Sequence, residues 1–82
     1  MSAPLTNRIR VLRAEHAMSQ ADLAAAINVS RKTISTIEVG RFVPSTVIAL
    51  KIATHFGVTV EEVFSLTDDA WMRSRPANIE HT

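Results

Sequence analysis

Two cations and two short hydroxyls, Arg31, Lys32, Ser35 and Thr36, are spaced to lie along one side of a helix turning about 100° per residue. Thr33, Ile34 and Ile37 fall along another side. A guanidinium and an ammonium donate to guanine edges and phosphate oxygens, and Ser and Thr suit base edges and thymine methyls. The polar side therefore carries the chemistry for reading a major groove. The apolar side must pack.

No other set of residues suggests chemistry. His16, His55 and His81 are scattered without metal-ligand spacing, and no carboxylate pair sits at a matched offset. The chain has no cysteine and only 2 glycines, so it offers neither a thiolate nucleophile nor a glycine-rich phosphate loop. No enzyme activity, catalytic residue, metal or cofactor is expected. His16 and His55 lie near predicted helix C-termini, where the dipole mildly favours a cation.

Residues 19 to 38 must position the polar side. Ser19 can cap a helix from Gln20 to Ile27, with Asp22 completing a capping box, and Ser30 can cap a second from Arg31 to Glu38. Asn28 between them tolerates a left-handed backbone, so the chain can turn sharply and Val29 can plug the corner. Ala24 is small enough to let the second helix cross closely over the first.

In this setting the stretch from Asn7 to Phe64 resembles the Cro and C1 repressor type of helix-turn-helix domain, the XRE family. The resemblance rests on Arg13, Met18-Ser19-Gln20, Leu23-Ala24, Ile27, Val29-Ser30, Thr33-Ile34, Ile37-Glu38, Gly40-Arg41, Pro44-Ser45, Leu50-Lys51-Ile52-Ala53 and Gly57-Val58 through Glu62 to Phe64. It implies an all-α, lambda-repressor-like DNA-binding domain of five helices with a central helix-turn-helix. It also implies that Arg13, on the core side of helix 1, pairs with Glu38, and that Arg41 and nearby loop amides grip phosphates.

Around that centre, Thr6 or Asn7 is expected to cap a first helix running to about Glu15 or His16, after a frayed arm over residues 1 to 6. Ala17 occupies a helix-ending position where the family commonly has glycine, so a left-handed backbone there would cost roughly 1 kcal/mol. A fourth helix runs from Ser45 or Thr46 to Phe56, with Ala49, Leu50, Ala53 and Phe56 as its buried stripe and Gly57 ending it. Val47 and Ile48 are expected to form an exposed apolar patch. Thr59 and Glu62 make a second capping box for a short helix through Phe64.

Apolar Val60, Phe64 and Leu66, with Trp71, are the expected dimer interface. Val63 either joins them or completes the monomer core. Trp71 either folds back or docks on a neighbouring subunit. The domain is expected over 7–66, and the tail over 67–82 is either dimerising or disordered.

Net charge is +1 over 82 residues, but it divides into +4 over residues 1 to 57 and −3 over 58 to 82. This suits a basic face toward an anion and an acidic end turned away. The absence of cysteine suits a reducing cytoplasm. No basic start precedes an apolar run, and no stretch is long enough to span a bilayer, so a soluble, cytoplasmic protein without a membrane partner is expected.

The expected function is sequence-specific transcriptional regulation, repression foremost, by a homodimer on an inverted-repeat operator in double-stranded DNA. Arg31, Lys32, Ser35 and Thr36 would read bases, and Ser19, Gln20, Thr33 and Arg41 would contact phosphates. The alternatives are an antitoxin or a restriction-modification controller of the same fold, or a protein-interaction adaptor. A toxin or polymerase is a conceivable protein partner.

Overall fold

The computed structural model describes residues 4–67, which form β1 (Leu5–Asn7), α1 (Ile9–Glu15), α2 (Gln20–Ile27), α3 (Arg31–Glu38), α4 (Thr46–Phe56), α5 (Val60–Val63) and β2 (Phe64–Leu66) in chain order. Four helices begin at a hydroxyl that accepts a backbone N–H three residues on. Ser19 receives Asp22 N at 2.9 Å, Ser30 receives Thr33 N at 3.1 Å, Ser45 receives Ile48 N at 3.1 Å, and Thr59 receives Glu62 N at 3.2 Å. At Ser19 the box is complete, because Asp22 Oδ2 also accepts Ser19 N at 3.0 Å. For α1 the cap position falls on Arg8, whose side chain makes no capping bond. Asn7 Oδ1 accepts Ile9 N at 3.1 Å in its place.

The helix ends follow one rule. After α1, α2, α3 and α4 the backbone turns left-handed at Ala17 (φ 53°), Asn28 (φ 62°), Gly40 (φ 81°) and Gly57 (φ 71°). Each of these residues donates to the carbonyl three back, and the next residue reaches the carbonyl five back. Examples are Met18 N to Arg13 O at 2.9 Å and Val58 N to Ala53 O at 3.0 Å. This double bond set satisfies carbonyls that a helix end leaves bare.

Packing follows the apolar stripes. Ile9, Leu23, Ile34, Ile37, Ile52 and Val63 are fully buried, and Ala24 is buried on α2, which packs against α3. On α4 the buried stripe differs from expectation: Leu50 is 52% exposed, whereas Ile52 is completely buried. The two lie about 200° apart around the helix, so packing α4 against α2 and α5 can bury only one of them. Val47, 61% exposed, forms open apolar surface as expected, but Ile48 leans onto the core.

Two further expectations are corrected. Leu5 and Thr6 are not a frayed arm. They lie in β1, antiparallel to β2, with Leu5 opposite Leu66, Thr6 opposite Ser65 and Asn7 opposite Phe64. The last helix stops at Val63, and Phe64, expected at a dimer interface, is 7% exposed and belongs to the protein's own core. Pairing with β1 turns the chain extended at that point and swings the Phe64 ring inward.

Candidate nucleic-acid interface

α3 is short, and its two sides have opposite chemistry. Ile34 and Ile37 are buried, which leaves Arg31 and Lys32 exposed at its N-terminal turn and Ser35 and Thr36 half-buried along its rim. Among the described residues, the side chains of Arg31, Lys32 and Arg41 meet no acceptor, so their donors are available to an outside anion. Arg41 stands in the turn after α3, fixed by its own N–H on Thr36 O at 2.9 Å.

The hydroxyls are less available than the cations. Thr36 Oγ1 donates to Lys32 O at 2.8 Å and lies 3.1 Å from Thr33 O, and Ser35 Oγ donates to Lys32 O at 3.1 Å. With their protons turned into the helix, both oxygens present only acceptor lone pairs outward, and Thr36 adds a methyl. Thr33 is also engaged, with its hydroxyl 2.8 Å from Ser30 Oγ.

At α2, Ser19 and Asp22 cap each other, and the amides of Gln20 and Ala21 begin the helix, where the dipole favours an anion. The Asp22 carboxyl is held below its ordinary value, first by the Ser19 backbone N–H and then by its hydroxyl. The Gln20 side chain points elsewhere: Nε2 donates to Glu38 Oε1 at 3.2 Å.

Glu38 collects the frame of the site. Arg13 Nε donates to Glu38 Oε2 at 2.6 Å and Arg13 Nη2 to Oε1 at 3.2 Å, a two-pronged pair with 15% and 7% of the two side chains exposed. Arg13 Nη1 donates to Met18 O at 2.9 Å, so one guanidinium joins α1, the corner before α2 and the end of α3. Its hydrogen bond to Glu38 raises the Arg13 pKa against the opposing effect of burial, with the carboxylate charge assisting.

Two tethers escaped the sequence reading. Asn7 Nδ2 donates to Ile37 O at 3.0 Å and Glu38 O at 3.4 Å, and Lys51 Nζ donates to Ile27 O at 3.3 Å. Each brings a donor from outside the helix-turn-helix to the C-terminal carbonyls of one of its helices. The sequence offered only an Asn able to cap locally and a Lys in an amphipathic helix, because partners 30 and 24 residues away leave no local pattern.

Of the remaining expected residues, Val60 packs partly against the core, Leu66 is 50% exposed, and Trp71 lies outside the described residues. Among the described residues, no His, Cys, Asp or Glu cluster could hold a metal, and no helix is long and apolar enough to cross a membrane.

The sequence and the fold both have relatives. A family model described as helix-turn-helix matches residues 9–63. A Methanocaldococcus jannaschii protein named an uncharacterized HTH-type transcriptional regulator is 45% identical over 65 residues, spanning 79% of this chain and 98% of that protein. One of the same description from Bacillus subtilis is 38% identical over 65 residues, with shares of 79% and 98%. The crystal structure of the restriction-modification controller protein C.AhdI from Aeromonas hydrophila superposes with a TM-score of 0.63 at 33% identity, covering 67% of this chain and 83% of that one. With the capped pair α2 and α3, the exposed cations of α3 and these likenesses in hand, the chain belongs to the Cro/C1-type helix-turn-helix family of DNA-binding transcriptional regulators.

Proposed function

We propose that this protein is a cytoplasmic repressor that lays α3 in the major groove of an inverted-repeat operator as a homodimer. The observation that carries the proposal is the division of α3, with Ile34 and Ile37 buried in the core and Arg31 and Lys32 exposed without partners among the described residues. Arg31 and Lys32 would read base edges and Ser35 and Thr36 would accept from base amino groups. Arg41 and the first amides of α2 would fix the phosphate register. A single short helix touches too few base pairs to select one operator from a genome, so two copies are required.

Symmetry then calls for half-sites about one helical turn, roughly 34 Å, apart. With Phe64 in the core, the interface proposed near the acidic end uses Val60 and Leu66 together with Trp71, which lies outside the described residues. Selection of bound fragments from random duplex DNA tests the proposal. Enrichment of an inverted repeat is expected, and recovery of no preferred sequence would refute it. The likeness to a restriction-modification controller favours a second reading within the same mechanism, in which the selected operator lies beside restriction genes.

A further inference from the structure

We propose that Asn7 is a positioning residue for DNA reading, one whose single carboxamide locks the C-terminal end of α3 to the start of α1 and to the β1–β2 ladder. The proposal rests on α3 being the helix that reads DNA. Asn7 Oδ1 accepts Ile9 N at 3.1 Å, while Nδ2 donates to Ile37 O at 3.0 Å and Glu38 O at 3.4 Å. The orientation of the amide is unambiguous, because one side faces an N–H and the other faces two carbonyls. Its main chain lies in β1 opposite Phe64 of β2. Three segments distant in sequence therefore meet at one half-buried side chain.

The site needs both halves of that amide. Asp would keep the acceptor for α1 but set a carboxylate against the carbonyl end of α3, where the helix dipole is already negative. Ser could still accept at α1 but has no second group to reach α3. Glu38 is the residue at stake, since its carbonyl meets Asn7 and its carboxylate meets Arg13 and Gln20. α3 has eight residues, about 12 Å of helix, with the reading cations at one end and these ties at the other. Freeing the tied end lets the helix tilt, which re-aims Arg31 and Lys32 while leaving their charge in place. Positions of base contacts suffer, and general attraction to phosphate does not.

The test compares wild type, Asn7→Asp and Asn7→Ser on two readouts. The first is residue-resolved amide hydrogen exchange of the protein alone. Faster exchange is expected at Gly40 and Arg41, whose bonds close α3, with protection retained at Leu12 in α1 and at His16, which caps its end. The second is affinity for a duplex selected from random sequence by the wild-type protein, set against a scrambled duplex. The selected-to-scrambled ratio should fall roughly three- to tenfold in both variants, the weight of one hydrogen bond, with scrambled affinity unchanged for the charge-neutral Asn7→Ser. Equal acceleration across α1 and α3, or an unchanged ratio, overturns the positioning role. If wild type selects no duplex, the DNA-reading assignment fails, and the exchange comparison still decides whether Asn7 locks α3.

Discussion

Ala17 and Gly57 occupy the same position in the same helix-ending motif, and exchanging their side-chain types should move stability in opposite directions. Ala17 holds φ 53° and Gly57 holds φ 71°, and both precede a residue whose N–H returns to the carbonyl five back. A Cβ in this left-handed conformation costs about 1 to 2 kcal/mol. Glycine removes that cost but gives back about 0.5 to 1 kcal/mol through its freer unfolded chain. Ala17→Gly should therefore stabilise the domain by about 0.5 to 1 kcal/mol, a rise in Tm of roughly 2 to 8 °C for a domain this size. Gly57→Ala should lower stability by a similar amount through backbone strain alone, because a Cβ built there meets nothing within 4 Å. Thermal and urea unfolding followed by circular dichroism measure both. A lower Tm for Ala17→Gly, or a neutral Gly57→Ala, would refute the claim that left-handed strain decides these corners.

Removing Glu38 strands a mostly buried guanidinium, so Glu38→Ala should cost roughly 3 kcal/mol, and adding Arg13→Met should recover part of the loss; strict additivity in urea unfolding would mean the pair is not coupled. Duplex binding should weaken with salt by close to one counterion per phosphate neutralised, and a flat salt series would remove the electrostatic account. Arg31→Ala or Lys32→Ala should also relax sequence preference by about 1 to 3 kcal/mol at the lost base, whereas Arg41→Ala should weaken all duplexes alike; an unaltered preferred sequence after Arg31→Ala and Lys32→Ala would misplace the reading face. Asp22 has its folded pKa lowered by Ser19, so its contribution is present above the ordinary carboxylate value and lost as pH falls through the lowered one. Stability of Asp22→Asn should accordingly depend less on pH than wild type below about pH 4, and parallel profiles for the two proteins would count against the capping box.

What could be read in advance was whatever depends on neighbours in sequence. Ser19, Ser30, Ser45 and Thr59 announce helix starts because a short hydroxyl needs only an amide three residues away, and Asn28 and Gly57 announce ends because few residues turn left-handed cheaply. Leu50 and Ile52 show where that logic stops. Both suit an apolar stripe, and only the placement of α2 and α5 decides which one is covered. The β1–β2 pair was hidden for the same reason: three-residue strands carry too little pattern, and their pairing joins the two ends of the domain. The candidate site divides likewise. Arg31 and Lys32 were legible from helical spacing, while the inward turn of the Thr36 hydroxyl and the reach of Asn7 to Ile37 were not.

The ties that secure α3 and the exposed cations proposed to read bases belong to different residues, which bears on how such a domain changes its target. α3 is secured by Ser30 at its start, by Ile34 and Ile37 in the core, and by Asn7, Arg13 and Gln20 at its end. Arg31 and Lys32 contribute to none of these ties. Exposed substitutions away from caps and cores usually move stability by less than about 0.5 kcal/mol, whereas a base contact is worth about 1 to 3 kcal/mol of discrimination. Changes at 31 and 32 should therefore alter the preferred operator with little change in Tm. Changes at Asn7, Arg13 or Glu38 should loosen the helix first and blur preference as a consequence. A panel of Arg31 and Lys32 variants that lost folding stability in step with DNA preference would show that the two duties are not separate.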